Sequence, residues 1–535
     1  MANNKNSNGT ALTYSNFQEH SAYKWIVLAN VMLGTFMAVL DITIVNVGLP
    51  KMMAAFGTSV DKIEWVLTGY LLVFAVILPS SGWIADHLGY KKTYNLGLFL
   101  FTAGSLLCSL SANENMLIVF RLIQGAGAGF IMPVGMAIIT REFPPEQRGT
   151  ALGFWGVAAA ASISLGPMIG GYLIDSFSWH AIFDVNVPVG IVAIVATLII
   201  QREYKTESAR SFDIIGFISM TLFLTFLLLA LSDGNAAWNT EGWTSNFILT
   251  CFAISFVGLV VFLATELSVK HPILDLRILK NRNFALANVM LFIFGLAFFG
   301  NAFLLPIYLI NSLGYTALQA GLVFFPVGII QAVMSPIAGK MTDKLNPKIP
   351  ITIGIILTFF SMYLYRNLSL YTEYKDIMIP LIVRGFGLGF MFIPLSTIAI
   401  NDISKEKMAQ ATGMFNTIRQ VGGSFGVAIL GSYLTQRVIY HRTMFGEALN
   451  PSSAAFQNTV YGLRDFAQHS LGGDGAITMM RAKAMIAEHV VNQAFIQGIA
   501  DDFRVGAGIT LLILIPLFFL KYHKKKGGAK IETVE

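Results

Sequence analysis

A chain of 535 residues that is 55% hydrophobic and only 12% charged carries more apolar side chain than a soluble core needs, which excludes an ordinary water-soluble domain. Its formal charge of +6 would suit nucleic acid only if the basic residues clustered, but they are scattered through short polar stretches and one terminal group, "KYHKKKGGAK". With a mean hydropathy of +0.64, and with Cys108 and Cys251 far apart in apolar runs, the chain is expected to be an all-α integral membrane protein without a disulfide framework or a metal site.

Residues 1–24 are polar and hold no apolar core followed by a small-residue cleavage site, so they are expected to be a cytoplasmic tail before a retained first helix, not a signal peptide. Lipid cannot satisfy a backbone, so each crossing needs about 20 mostly apolar residues in a helix. Fourteen such runs follow: 25–48, 65–85, 93–111, 116–139, 149–173, 181–200, 212–231, 246–266, 284–310, 320–342, 349–366, 376–400, 408–434 and 503–521. An even number places both termini on one side. Lys and Arg decide which side: Lys91, Lys92, Arg141, Arg148, Arg202, Lys205, Lys340, Lys344, Lys405 and Lys407 fall in one set of loops, whereas "SANEN" and "DSFSWH" of the other set have none. The basic loops, and the tail 522–535 with Lys524, Lys525, Lys526 and Lys530, are therefore expected in the cytoplasm.

The sequence repeats. "GWIADHLGYKK" after the second run matches "GKMTDKLNPK" after the tenth, pairing Gly82 with Gly339 and Asp86 with Asp343. Arg121 in "RLIQGAGAG" then pairs with Arg384 in "RGFGLGF", and runs five and thirteen align Gly153 with Gly413, Gly166 with Gly426 and Gly171 with Gly431. Ordered matches of this kind predict two six-helix bundles, 25–200 and 284–521, flanking two extra helices and their linkers at 201–283, with a seam between the halves.

Those same motifs resemble the major facilitator superfamily and, within it, the fourteen-helix drug:proton antiporter family. "GWIADHLGYKK" resembles the superfamily loop pattern, "RLIQGAGAG" the fourth-helix pattern, "LGPMIGG" the fifth-helix antiporter signature and "LDITIVNVGLP" the first-helix pattern of the fourteen-helix exporters. His87 and Tyr90 stand where the loop pattern has basic residues, and Ser162 where the antiporter signature often opens with Gly. The resemblance implies a major facilitator fold and a multidrug exporter of a bacterial inner membrane that works by alternating access, with a proton gradient as its energy source and no cofactor.

An ionisable side chain inside a span is costly unless it faces a wet cavity or a partner, and such groups commonly serve proton relays. Asp41, in "VLDITIVNVGLP", is the expected proton carrier, with Arg121 as the charge whose approach and departure switch it; a permanent ion pair fastening two helices is the plainer alternative. Asn46, Tyr70, Gln124, Trp155, Asn288, Asn301, Gln331, Asn416 and Arg419, polar or aromatic within spans, are candidates for the substrate cavity. Gly82, Asp86, Gly89, Lys91, Gly339, Asp343 and Arg384, with Gly166, Pro167, Gly170 and Gly171, are assigned to gating and helix packing: Asp86 and Asp343 either close the inward gate or simply cap solvated loops, and the bendable helix of "LGPMIGG" serves close packing, gating or both.

Residues 435–502 form one long extracytoplasmic connection, and "AITMMRAKAMIAEHVVNQAFIQGIA" is rich in helix formers, so a helical hairpin is expected. It resembles the extension of family members that work with a periplasmic adaptor and an outer-membrane channel. The expected partners are thus the lipid bilayer, a small-molecule substrate and an adaptor, and not nucleic acid. The cargo is read as amphipathic drugs or toxic compounds, or else one endogenous metabolite such as a fatty acid or siderophore. No catalytic cluster is present: the eight His residues are dispersed, and there is no phosphate-binding loop of an ATPase.

Overall fold

The computed structural model describes residues 22–521 apart from 206–212, 237, 271, 303, 472 and 473. Residues 1–21 of the predicted tail 1–24, and the tail 522–535 with its lysines, lie outside the described residues, while Tyr23 and Lys24 already belong to the first helix. Among the described residues every regular element is helical.

The first bundle consists of α1 (Tyr23–Phe56), α2 (Trp65–Leu88), α3 (Tyr90–Ser109), α4 (Glu114–Glu142), α5 (Arg148–Ser176) and α6 (Asn186–Ile200). Next come α7 (Ile214–Asp233) and α8 (Asn246–Ser268). The second bundle comprises α9 (Arg282–Ala302), continued by Leu304–Asn311, then α10 (Phe325–Lys344), α11 (Lys348–Leu364), α12 (Tyr374–Asn401) and α13 (Met408–Ala448). After α14 (Ala454–Leu471), α15 (Gly475–Leu511) returns to complete it. Twelve helical stretches among the described residues are long and apolar enough to cross a membrane. Helices α3 and α13 fall outside that set, yet α3 packs between α4 and α6, and α13 packs between α9, α15 and α2.

The packing repeats as the sequence does. Helix α3 pairs with α4 as α11 does with α12, α1 with α5 as α9 does with α13, and α3 with α6 as α11 does with α15. Between the halves, α5 crosses α10 and α13 crosses α2. Glycine makes both crossings close: a Cβ on Gly153 would lie 2.7 Å from Pro336 Cα, and one on Gly413 would lie 2.9 Å from the Leu78 carbonyl oxygen. Small residues let helix backbones approach in this way where lipid gives no hydrophobic drive to association.

Helices α7 and α8 pack on each other, and α7 packs against the bundles at α2 and α13. Their outer faces leave Ile214, Ile215, Phe256 and Val257 each more than 60% exposed, surface that only lipid tails can cover without cost.

Helix α13, at 41 residues, is about 60 Å long, roughly twice the thickness of a hydrocarbon core. It therefore leaves the bundle, and α14 packs back on α15 beside it. The base of this hairpin is fastened by Asp501 of α15, which accepts from Arg437 at 2.6 Å, from Arg504 at 2.6 Å, and pairs with His441 at 2.8 Å.

Candidate functional site

Asp41 lies within α1 and is fully buried. Its carboxyl faces three donors: Arg121 Nη1 on α4 at 2.5 Å, Gln124 Nε2 one turn further along α4 at 2.8 Å, and Asn186 Nδ2 at the start of α6 at 3.2 Å. The spacing of Arg121 and Gln124 puts both on one face of α4, and Arg121 Nη1 also donates to Gln124 Oε1 at 2.7 Å. Ser105 of α3 closes the ring, accepting from Gln124 and Asn186 and donating to the Phe183 carbonyl. Arg121 is further held by the Val66 carbonyl at 2.9 Å and by the Tyr70 ring, whose centre is 4.1 Å from its guanidinium carbon. Four helices thus converge on one carboxylate. Such a pair contributes little net stability against its desolvation cost, but losing either partner would strand a buried charge.

At one end of the molecule the two halves interlock. Asp343, at the end of α10, accepts from the Gly149 amide at 2.9 Å, the Thr150 amide at 2.8 Å and the Thr150 hydroxyl at 2.7 Å, capping the start of α5 in the other half. A Cβ on Gly339 would strike the Gly149 carbonyl, and one on Gly82 would lie 2.7 Å from the Ala409 and Gln410 backbone. Asp86, its repeat partner, accepts from the Tyr90 hydroxyl at 3.0 Å within its own half. Tyr90, where the family loop pattern has a basic residue, also receives the Arg141 guanidinium over its ring at 4.5 Å. Gly89, with φ of 103°, makes the turn there, and Lys91 donates to the Leu198 carbonyl at 2.7 Å.

Away from that end, a cavity of about 560 Å³ lies between the halves, within the range of small-molecule sites. Its walls come from α1, α5, α9, α10 and α12. Apolar Phe298, Phe324, Ile307 and Pro167 dominate, and Asn46, Gln331 and Arg384 are its larger polar groups. Thr43, two residues from Asp41, also lines it.

A sequence model of the Major Facilitator Superfamily matches residues 31–427. The chain belongs to that superfamily. It is accordingly a membrane transporter and not an enzyme. The chain is 31% identical to the multidrug export protein EmrB of Escherichia coli K12, covering 93% of this chain and 95% of that protein. It is likewise 31% identical to the uncharacterized MFS-type transporter YhcA of Bacillus subtilis, with 93% of each chain covered. It is 29% identical to the fatty acid resistance protein FarB of Neisseria gonorrhoeae, covering 95% of this chain and 98% of that one. In fold it is similar to the human organic anion transporter MFSD10, with a TM-score of 0.59 over 93% of this chain and 99% of that chain, at 13% identity.

In this superfamily member the residues singled out by sequence fall into separate places. Asp41, Arg121, Gln124 and Tyr70 come together in the buried network. Asn46 and Gln331 face the cavity, as does Arg384, which the sequence had grouped with the gate. Trp155 is buried and donates to Thr35 at 2.8 Å, and Asn288 and Asn301 each donate to the carbonyl four residues back on α9. Asn416 is also buried, and Arg419 donates to it at 3.3 Å beside the Phe392 ring. Gly166 and Gly170 pack α5 on α1 at Thr43 and Ile44, Gly171 meets Leu318, and Pro167 faces the cavity. Sequence reasoning missed Ser105 and Asn186. Asn186 sits in the stretch "FDVNVPVG", so a polar residue opening an apolar run was the available signal.

Proposed function

We propose that the chain is a proton-coupled exporter of amphipathic drugs or toxic compounds, working by alternating access across a bacterial inner membrane. The observation that carries this reading is the Asp41 network: one buried carboxyl held by three donors from two other helices, two residues along α1 from Thr43 of the cavity wall. Names of relatives such as EmrB support the cargo class. With α3 and α13 counted as crossings, the spans number fourteen, and both termini lie in the cytoplasm with the basic loops. The end where Asp343 caps α5 is then the cytoplasmic gate, here interlocked, and the hairpin of residues 435–502 faces the periplasm, where an adaptor and an outer-membrane channel are the fitting partners.

In this reading Arg121 is the charge whose withdrawal from Asp41 couples proton loading to the rocking of the halves. Thr43 and Asn46 lie on the same helix and already touch the cavity, so a small rotation or bend of α1 as the halves rock would exchange Arg121 for water. The energy suffices: one charge crossing 100 mV yields roughly 2.3 kcal/mol, against about 1.4 kcal/mol for each tenfold concentration ratio.

The test is uptake of an amphipathic dye into inverted vesicles with and without a pH gradient, in wild type and Asp41→Asn. Wild-type uptake is expected to collapse when the gradient is dissipated, and the variant to be insensitive to it. Equal uptake under all four conditions would overturn proton coupling. The likeness to the fatty acid resistance protein FarB favours one second reading, a dedicated exporter of a fatty acid or similar endogenous metabolite on the same machinery.

A further inference from the structure

We propose that the central cavity selects amphipathic anions, with Arg384 as the residue that receives the anionic head group. The inference rests on the transport reading above and narrows its cargo.

Arg384 lies on α12, is 4% exposed, and lines the cavity. Among the described residues it has no ion pair and no hydrogen bond; the Phe298 ring lies with its centre 5.1 Å from the guanidinium carbon, and the neutral Tyr365 hydroxyl is a further polar neighbour that carries no compensating charge. A guanidinium presents five donors in a rigid fork, and a buried cation left without an anion is costly. A face of Phe offsets only a part of that cost, because it offers no acceptor lone pair. No Asp or Glu stands among the described residues lining the cavity. The nearest carboxylate in sequence to the cavity wall, Asp41, is fully buried and already committed to Arg121, Gln124 and Asn186. The cavity's own charge is therefore positive, and a cationic guest would add a second uncompensated charge.

The remaining surface fixes the other half of the ligand. Gln331 and Asn46 supply neutral polar groups, while Phe298, Phe324, Ile307 and Ile310 offer an apolar wall. A carboxylate can take two parallel hydrogen bonds from the guanidinium fork while an apolar tail covers those rings. The ligand class is thus a monoanionic amphiphile, which both an aliphatic acid of cellular origin and a foreign aromatic acid satisfy.

The experiment measures binding to the purified full chain in detergent by calorimetry at about pH 8, where carboxylic acids are ionised. Decanoate, decanol and decyltrimethylammonium share one tail and differ in head-group charge; naphthalene-2-carboxylate supplies the aromatic acid. Wild type is expected to bind at least one of the two acids about tenfold or more tighter than decanol and the cation, the scale of a charge-assisted hydrogen bond. Arg384→Gln is expected to lose that preference while still binding decanol, and Arg384→Lys to keep part of it, which separates loss of charge from loss of fold. Preference for decanoate alone points to a cellular lipid acid, and preference for both acids to recognition of the head group irrespective of tail. Binding of the cation as tightly as the acids in wild type, or an undiminished acid preference in Arg384→Gln, would overturn the proposal. No pH gradient is involved, so proton-driven uptake can stand while this inference falls, or fail while it stands.

Discussion

Arg121 and Arg384 occupy matching places in the two halves, yet their surroundings are opposite. Both are buried on the fourth helix of a six-helix bundle. Arg121 has a carboxylate at 2.5 Å, a carbonyl at 2.9 Å and a tyrosine ring, whereas Arg384 has a phenylalanine ring and open cavity. The first helices of the halves share the hexapeptide "LANVML", at residues 28–33 and 286–291, and on that register Asp41 falls on Phe299. One duplicated scaffold has thus kept its charge balanced internally in one copy and left it unbalanced in the other. A closed network suits a proton, which needs only a change of donors; an open one suits a guest that brings its own charge.

The largest test of this contrast is stability. Arg121→Ala strands Asp41 among neutral neighbours and is expected to cost about 3–5 kcal/mol, whereas Arg384→Ala removes a cation with no ion pair to lose and is expected to change thermal unfolding in detergent far less. Equal losses would erase the distinction between the sites. An intermediate effect is expected at the interlocked end. Asp343→Ala deletes three hydrogen bonds across the seam, enough, at about 1.5–3 kcal/mol for hydrogen bonds to a charged group, to shift the open population by about tenfold or more. Spin-label distances between α5 and α10 in wild type and Asp343→Ala would read that shift. The smallest expected effect is Trp155→Phe, which removes the bond to Thr35 at about 0.5–1.5 kcal/mol and should move thermal stability without altering gradient dependence.

The fold was largely legible because its signals are local. The apolar runs marked the spans to within a few residues at many ends, although α1 continues to Phe56, past the expected limit of 48, and α13 is a single helix to Ala448. The repeat was also legible, since Gly82, Gly153, Gly339 and Gly413 are required wherever backbones cross closely. The site was legible only in part. Asp41 and Arg121 announced themselves as charges within apolar runs, but Asn288, Asn301 and Asn416 look the same in sequence as Asn46, and the structure places only Asn46 on the cavity wall.

What the sequence alone determined is the set of membrane helices, their duplication and the presence of a carboxyl and several guanidinium groups within the spans. A helix in lipid must satisfy its backbone within its own residues, so the tendency is written run by run. Only the tertiary structure decided that Asn186 and Ser105 complete the ring at Asp41, that Asp343 caps a helix of the opposite half, and that Arg384 looks into the cavity. Those outcomes depend on which faces of distant helices meet, and a few degrees of rotation about a helix axis, invisible in any local pattern, decide whether a polar side chain meets a partner, a cavity or the core.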